Sequence, residues 1–153
     1  MTANRALWGR DLMLDYRHGG FYEDADLVPA TRSEGPGHLT DLAVASEVDA
    51  AVQAVANRLK TRMGELAPLG HPDYGSRHHE LMGQPNVERT RNLIKLYVLQ
   101  ALKREPRIEK VIRCDVTAAH APPREVVRIV LALKLIGVQA PANLVVPFSL
   151  EAS

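Results

Sequence analysis

One stretch limits what this chain can become more than any other: Asn86 to Arg104, the corner Glu105-Pro106-Arg107, and Ile108–Ala118 beyond it. Leu93, Ile94, Leu96, Tyr97, Val98, Ala101 and Leu102 cover well over half of a helical circumference, wider than the single apolar stripe of an exposed helix. A helix of this kind is covered on more than one side. Asn86 suits its N-cap, and Pro106 sets its end, because proline lacks an amide hydrogen and disfavours helical geometry at the preceding Glu105. Past the corner, Ile108, Ile112, Cys114 and Val116 alternate with Glu109, Val111, Arg113, Asp115 and Thr117, the two-residue period of a half-buried strand.

The flanking segments carry weaker signals of the same kinds. Leu12, Leu14 and Tyr16 alternate with Asp11, Met13 and Asp15 and lead into Gly19-Gly20, which predicts a short strand and a turn. From Phe21 to Asp41 the chain is rich in acids, proline and glycine, with Gly35-Pro36-Gly37 as breakers, and reads as a loop or a loosely held hairpin. The acids Glu23, Asp24 and Asp26 lack the regular spacing of a cation loop and read as a solvated face. Ser46-Glu47-Val48-Asp49 fits a capping box; Val48, Ala51, Val52, Val55, Leu59 and Met63 then recur at helical steps, and Gly64 is placed to close the helix. Ser76 is placed to cap a short helix ending at Gly83. Val127, Ile129, Leu131, Leu133 and Leu135 lie on one face of a second strand, and Leu144, Val146, Phe148 and Leu150 on one face of a third. Pro147 cannot donate a ladder hydrogen bond, so this last strand is expected at a sheet edge. No internal repeat and no low-complexity tract is evident.

With 153 residues and 46% hydrophobic content, the chain is expected to form one domain, 1–153, with a loop-rich segment 19–41 and a C-terminal edge strand 144–151. Nineteen basic against 18 acidic residues leave a charge of +1, which supplies no general attraction to nucleic acid or an anionic membrane. No apolar run and no N-terminal pattern suggests a membrane span or a secretory signal, so a cytoplasmic protein is expected. Cys114 has no second cysteine to pair with and reads as a packed thiol.

Side chains that could carry chemistry form no convincing set. His71, His78, His79 and Glu80 are ordinary zinc ligands, yet adjacent histidines on a helix diverge by about 100°, so a pH-sensitive surface helix and no metal or other cofactor is expected. Glu65, Glu80 and Glu105 are the candidates for a glycosidase carboxylate pair, but nothing in their spacing joins two of them. Arg104 and Arg107 beside Glu105 lower an acid's pKa rather than raise it, which predicts an ion-paired corner. Arg89, Arg91, Lys95, Lys103 and Arg104 lack aromatic companions for base stacking, so no nucleic-acid face is expected.

Three segments in order, Asn57–Leu66, His71-Pro72-Asp73-Tyr74-Gly75-Ser76-Arg77 and Glu105-Pro106-Arg107-Ile108, resemble the phage baseplate wedge, or sheath-initiator, family. That family is also called gene-twenty-five-like or lysozyme-like, and it has relatives in type VI secretion and other contractile injection systems. The resemblance covers roughly Trp8 to Val138. It implies an α+β fold, a small antiparallel sheet of three to four strands with two main helices packed on it. It also implies a non-enzymatic structural role in the inner baseplate, with wedge proteins, the contractile sheath protein, and inner tube or spike hub proteins as partners. Glu105, Pro106 and Arg107 would then contact the wedge core, with Pro106 setting the direction in which the charged side chains leave the helix. Leu144, Val145, Val146, Pro147, Phe148, Ser149 and Leu150 would offer a strand edge to arms of the first sheath ring. The lysozyme-like label keeps a peptidoglycan-cleaving enzyme as the alternative, beside a regulatory adaptor of the same fold. His78 stands where the family commonly has an apolar residue, which points to an altered surface contact.

Overall fold

The computed structural model describes residues 8–17, 24–31 and 40–152, and the chain divides into two units, Met1–Gln53 and Ala54–Ser153. The Gly19-Gly20 and Gly35-Pro36-Gly37 turns and Glu23 lie outside the described residues.

Among the described residues of the first unit are six short strands: β1 (Arg10–Leu12), β2 (Leu14–Arg17), β3 (Asp24–Leu27), β4 (Pro29–Thr31), β5 (Thr40–Leu42) and β6 (Val44–Ser46). They pair antiparallel as β1 with β6, β2 with β3, and β4 with β5. Three two-stranded ribbons result. The single strand expected over Leu12–Tyr16 is therefore two, broken at Met13, and the described part of 19–41 runs through paired ribbon strands.

Where one ribbon passes into the next stand Met13, Val28 and Ala43, and their backbones close a ring. The Met13 amide donates to Ala43 O (2.8 Å), Ala43 to Val28 O (2.8 Å) and Val28 to Met13 O (3.1 Å). Each ring residue follows an Asp-Leu pair, Asp11-Leu12, Asp26-Leu27 or Asp41-Leu42, fifteen positions apart. In each pair the aspartate carboxylate accepts the leucine amide, at 2.8, 2.8 and 2.9 Å. The chain thus contains a threefold internal repeat, contrary to the expectation of none. Only two identical residues recur per copy, because the ring is made by main-chain atoms that place little demand on the intervening side chains. Gln53 breaks the equivalence of the three corners. Its buried amide accepts from the Leu14 N–H (2.9 Å) and donates to Leu12 O (2.8 Å).

Helix α1 (Glu47–Lys60) buries Ala51, Val55 and Leu59 completely, as the helical spacing requires. It ends four residues before Gly64, because Thr61 turns its hydroxyl back onto Asn57 O (2.8 Å) and Arg62 enters a parallel bridge with Ser76. Two short 3-10 turns follow, Ala67–Leu69 and Arg77–Leu81.

Helix α2 (Glu88–Leu102) buries Thr90, Ile94, Val98, Ala101 and Leu102. Val87, not Asn86, is its N-cap; the Asn86 side chain instead donates to Arg124 O (2.6 Å) and accepts from Arg91 (2.8 Å). The chain then passes through Pro106 into a three-stranded antiparallel sheet, β7 (Ile108–Ala118), β8 (Val126–Leu135) and β9 (Ala142–Ser149), in that spatial order. The expected core face of β8 is realised in full: Val127, Ile129, Leu131, Leu133 and Leu135 are 0 to 1% exposed. In β7 the alternation fails at one point. Register shifts between Ile108 and Lys110 and between Val111 and Arg113 turn Ile112 outward, while Cys114 stays in the core with its thiol pKa raised by burial. Among the described residues, two α-helices and small antiparallel sheets make this an α+β fold. No helix among the described residues is long and apolar enough to cross a membrane.

Candidate functional site

Three sequence segments distant from one another meet at the Glu105 corner. Gly75 adopts φ +105°, and a Cβ there would stand 2.6 Å from Thr61 O and 2.7 Å from Arg62 O. Only glycine lets the two backbones touch. Ser76 then donates its N–H to Thr61 O (2.9 Å) and accepts the Met63 N–H (3.2 Å), which fixes the 74–76 segment beside the end of α1. That placement stacks the Tyr74 ring under Arg58, with the guanidinium 4.5 Å from the ring centroid.

Arg58 reaches past Tyr74 to Glu105, Nε to Oε2 at 3.2 Å, with side-chain exposures of 11% and 4%. The other oxygen of Glu105 accepts the Arg107 backbone N–H (3.4 Å) and lies 3.7 Å from the Arg107 Nε. The ion-paired corner is present, but its principal cation is Arg58, which sequence spacing did not single out. Glu105 points inward rather than out of the helix, and Pro106 and Arg107 are the members of the corner that reach solvent. Arg104 turns away to Asp73, 3.1 Å from its carbonyl oxygen.

His78 is buried, 1% exposed, rather than on a surface helix. Its Nδ1 lies 2.7 Å from the Ser76 hydroxyl and its ring meets Phe148 of β9 edge-on at 4.6 Å. Loss of solvation, with neighbouring His79 adding repulsion, pulls its pKa down to about 3, so the imidazole is neutral at neutral pH. The Ser76 hydroxyl is spent on His78 and does not cap the following turn. His79 is also shifted down by burial and bonds Leu59 O (2.8 Å). Among the described residues no group of histidine, cysteine or carboxylate side chains is arranged to hold a metal.

The three glutamates weighed as glycosidase acids are each engaged by a donor. Glu65 accepts the Arg62 N–H (3.0 Å) and Glu105 is held by Arg58. Glu80 takes two hydrogen bonds of 3.0 Å from Arg77, which hold its pKa below the usual carboxylate range. For Glu80 that is the reverse of the protonated acid that glycoside cleavage needs.

Strand β9 occupies a sheet edge, as Pro147 implied. The Leu150 N–H donates to Glu125 O (2.9 Å), which marks 125 and 150 as a hydrogen-bonded pair; alternation along an antiparallel ladder then directs Asn143, Val145, Pro147 and Ser149 outward. Among the described residues no other strand pairs with that edge. Val145 is 51% exposed, Leu144 and Ser149 are half-buried, and Val146, Phe148 and Leu150 belong to the core. Leu150 lies past the strand, its carbonyl taken by the Gly83 N–H (2.7 Å).

Comparison with protein-family models and with curated proteins gives no match. Among solved structures, one from Geobacter sulfurreducens, of a protein provisionally called a tail lysozyme, is similar at a TM-score of 0.56 and 24% identity. The match covers 67% of this chain and 90% of that one. The likeness is one of fold.

Proposed function

We propose that this chain is a structural component of the inner baseplate of a contractile tail or contractile injection system, which starts sheath assembly through the free edge of β9. The observation that carries the reading is the row of outward main-chain groups at Asn143, Val145, Pro147 and Ser149 on an edge strand rooted in the core by Val146 and Phe148. Strand addition supplies main-chain hydrogen bonds, and a rooted edge presents them at fixed height and register. Pro147 removes one donor from that row, which limits pairing to partners that need none there. Contact with the wedge core then falls to Pro106 and Arg107, with Glu105 holding Arg107 from below. Sheath protein, wedge proteins, and tube or hub proteins are the partners on this reading.

The test is Val145→Pro, which removes an outward donor and leaves the β8–β9 ladder whole. Deleting the strand would instead strip Val146, Phe148 and Leu150 from the core. Particles carrying the variant are expected to show complete baseplates without sheaths under the electron microscope; sheathed particles at normal frequency overturn the mechanism. The name of the similar structure keeps cell-wall hydrolysis as a second reading. Purified protein that clears peptidoglycan, and loses that activity on Glu105→Gln with its fold retained, decides for it.

A further inference from the structure

A strand added to β9 forms backbone hydrogen bonds whatever its sequence, so main-chain pairing alone does not choose its register. A slip of one residue turns the added strand's two faces over, but a slip of two restores them. Side chains on the solvent face of the sheet must decide between the registers that remain.

Rows of paired residues cross that face. One row runs Asp115, Val130, Val145, and the next runs Thr117, Arg128, Pro147. Arg128 and Val130 stand on the solvent face because Val127, Ile129 and Leu131 take the other for the core. Arg128 is exposed and, among the described residues, has no hydrogen-bond or ion-pair partner. Its neighbours in its own row, Thr117 and Pro147, carry no charge. Asp115, one row away, is taken by Arg113 and by Lys95, and Lys134 on the same face of β8 is matched by Glu109 at 3.0 Å.

An added strand places its next residue in the Arg128 row beyond Pro147, two strand spacings or about 10 Å from Arg128. A carboxylate there meets a guanidinium carried on the long arginine stem, across a proline that gives the ladder no donor. In the neighbouring row the added residue stands beside Val145, 51% exposed, and beyond it Val130, half-buried, so an apolar β-branched side chain fits that position.

We propose that Arg128 sets the register of the strand that β9 receives, by pairing with an acidic residue opposite Pro147, two positions from an apolar residue opposite Val145. The inference rests on the reading of β9 as an edge that takes up a strand, and it adds what that strand must carry. A slip of two residues moves the acid out of the Arg128 row, to Val145 or to Ser149, so the ion pair supplies the selection that backbone pairing lacks.

The test is titration of the isotope-labelled full chain with three capped heptapeptides, followed at the outward amides of Asn143, Val145 and Ser149 by nuclear magnetic resonance. One peptide is Thr-Asp-Thr-Val-Thr-Asp-Thr, and the others carry asparagine or lysine in place of both aspartates. Each reads the same in both directions, so parallel and antiparallel addition present the same side chains. At about 0.05 M salt the aspartate peptide is expected to bind about fivefold more tightly than the asparagine peptide, and the lysine peptide more weakly than either. Arg128→Glu, on an exposed side chain, is expected to keep the far-ultraviolet circular dichroism spectrum and to invert the order, so that the lysine peptide binds best. Any other order in the parent, or an order unchanged in Arg128→Glu, overturns the role of Arg128, while shifts at the edge amides would still uphold strand addition. No shift at those amides with any of the peptides overturns both.

Discussion

Glutamine in place of Glu105 keeps the shape of the side chain and removes its charge, leaving Arg58, 11% exposed, without its anion. Breaking one side of a buried ion pair costs about 3–5 kcal/mol. The Tyr74 face, 4.5 Å from the guanidinium, meets the cation before and after the change and so does not alter that figure. A net loss of about 3 kcal/mol is expected, which for a unit of this size lowers the melting temperature by about 15 °C. Arg58→Met strands the carboxylate instead, with the partly exposed Arg107 as its remaining cation, and is expected to be comparably harmful. The double variant strands neither charge and should lose about 2 kcal/mol less than the two single losses added together. Urea unfolding of all four proteins measures the cycle. Additivity within about 0.5 kcal/mol would mean that Arg58 and Glu105 do not depend on each other, and the account of the corner as a buried pair would fail.

Two further outcomes follow from the same region. Gly75→Ala forces a Cβ to within 2.6 Å of Thr61 O at φ +105° and is expected to destabilise by about 3 kcal/mol, from backbone strain and overpacking together, read by the same urea assay. His78 has its folded pKa depressed to about 3, so between the ordinary imidazole value and that point the unfolded chain binds the extra proton. Its contribution is complete above about pH 6.5 and lost as pH falls towards 3, at up to about 1.4 kcal/mol per pH unit. His78→Leu should flatten the acid limb of the stability profile, and an unchanged slope would rule out His78 as its source.

The second unit was legible in the sequence where burial has a period. Val127 to Leu135 alternate without exception and all five core residues are sealed. Pro147 placed β9 at an edge because a missing amide hydrogen is a property of one residue and needs no tertiary context. Ile112 was misplaced because a bulge resets the two-residue alternation without leaving a mark in residue type. The burial of His78 leaves no local signature because it depends on Ser76 and Phe148, one nearby and one far along the chain. The role of Arg58 is hidden for a related reason: its partner is 47 residues away.

The ring of the first unit shows the limit of side-chain patterning more sharply. Its repeat lay in plain view as Asp-Leu at 11, 26 and 41, yet the hydrogen bonds that close it run between backbone atoms of Met13, Val28 and Ala43, three different residues. The β9 edge is likewise a row of backbone groups. The edge offered to the sheath is therefore specified by main-chain geometry, whereas the charged motif most visible in the sequence is turned inward at Glu105. A variant at Glu105 would then impair assembly through loss of stability, and one at Arg107, 25% exposed, through loss of contact. Arg107→Ala should leave the unfolding free energy from urea within about 1 kcal/mol of the parent's, so a wedge defect in that variant alone separates the two causes.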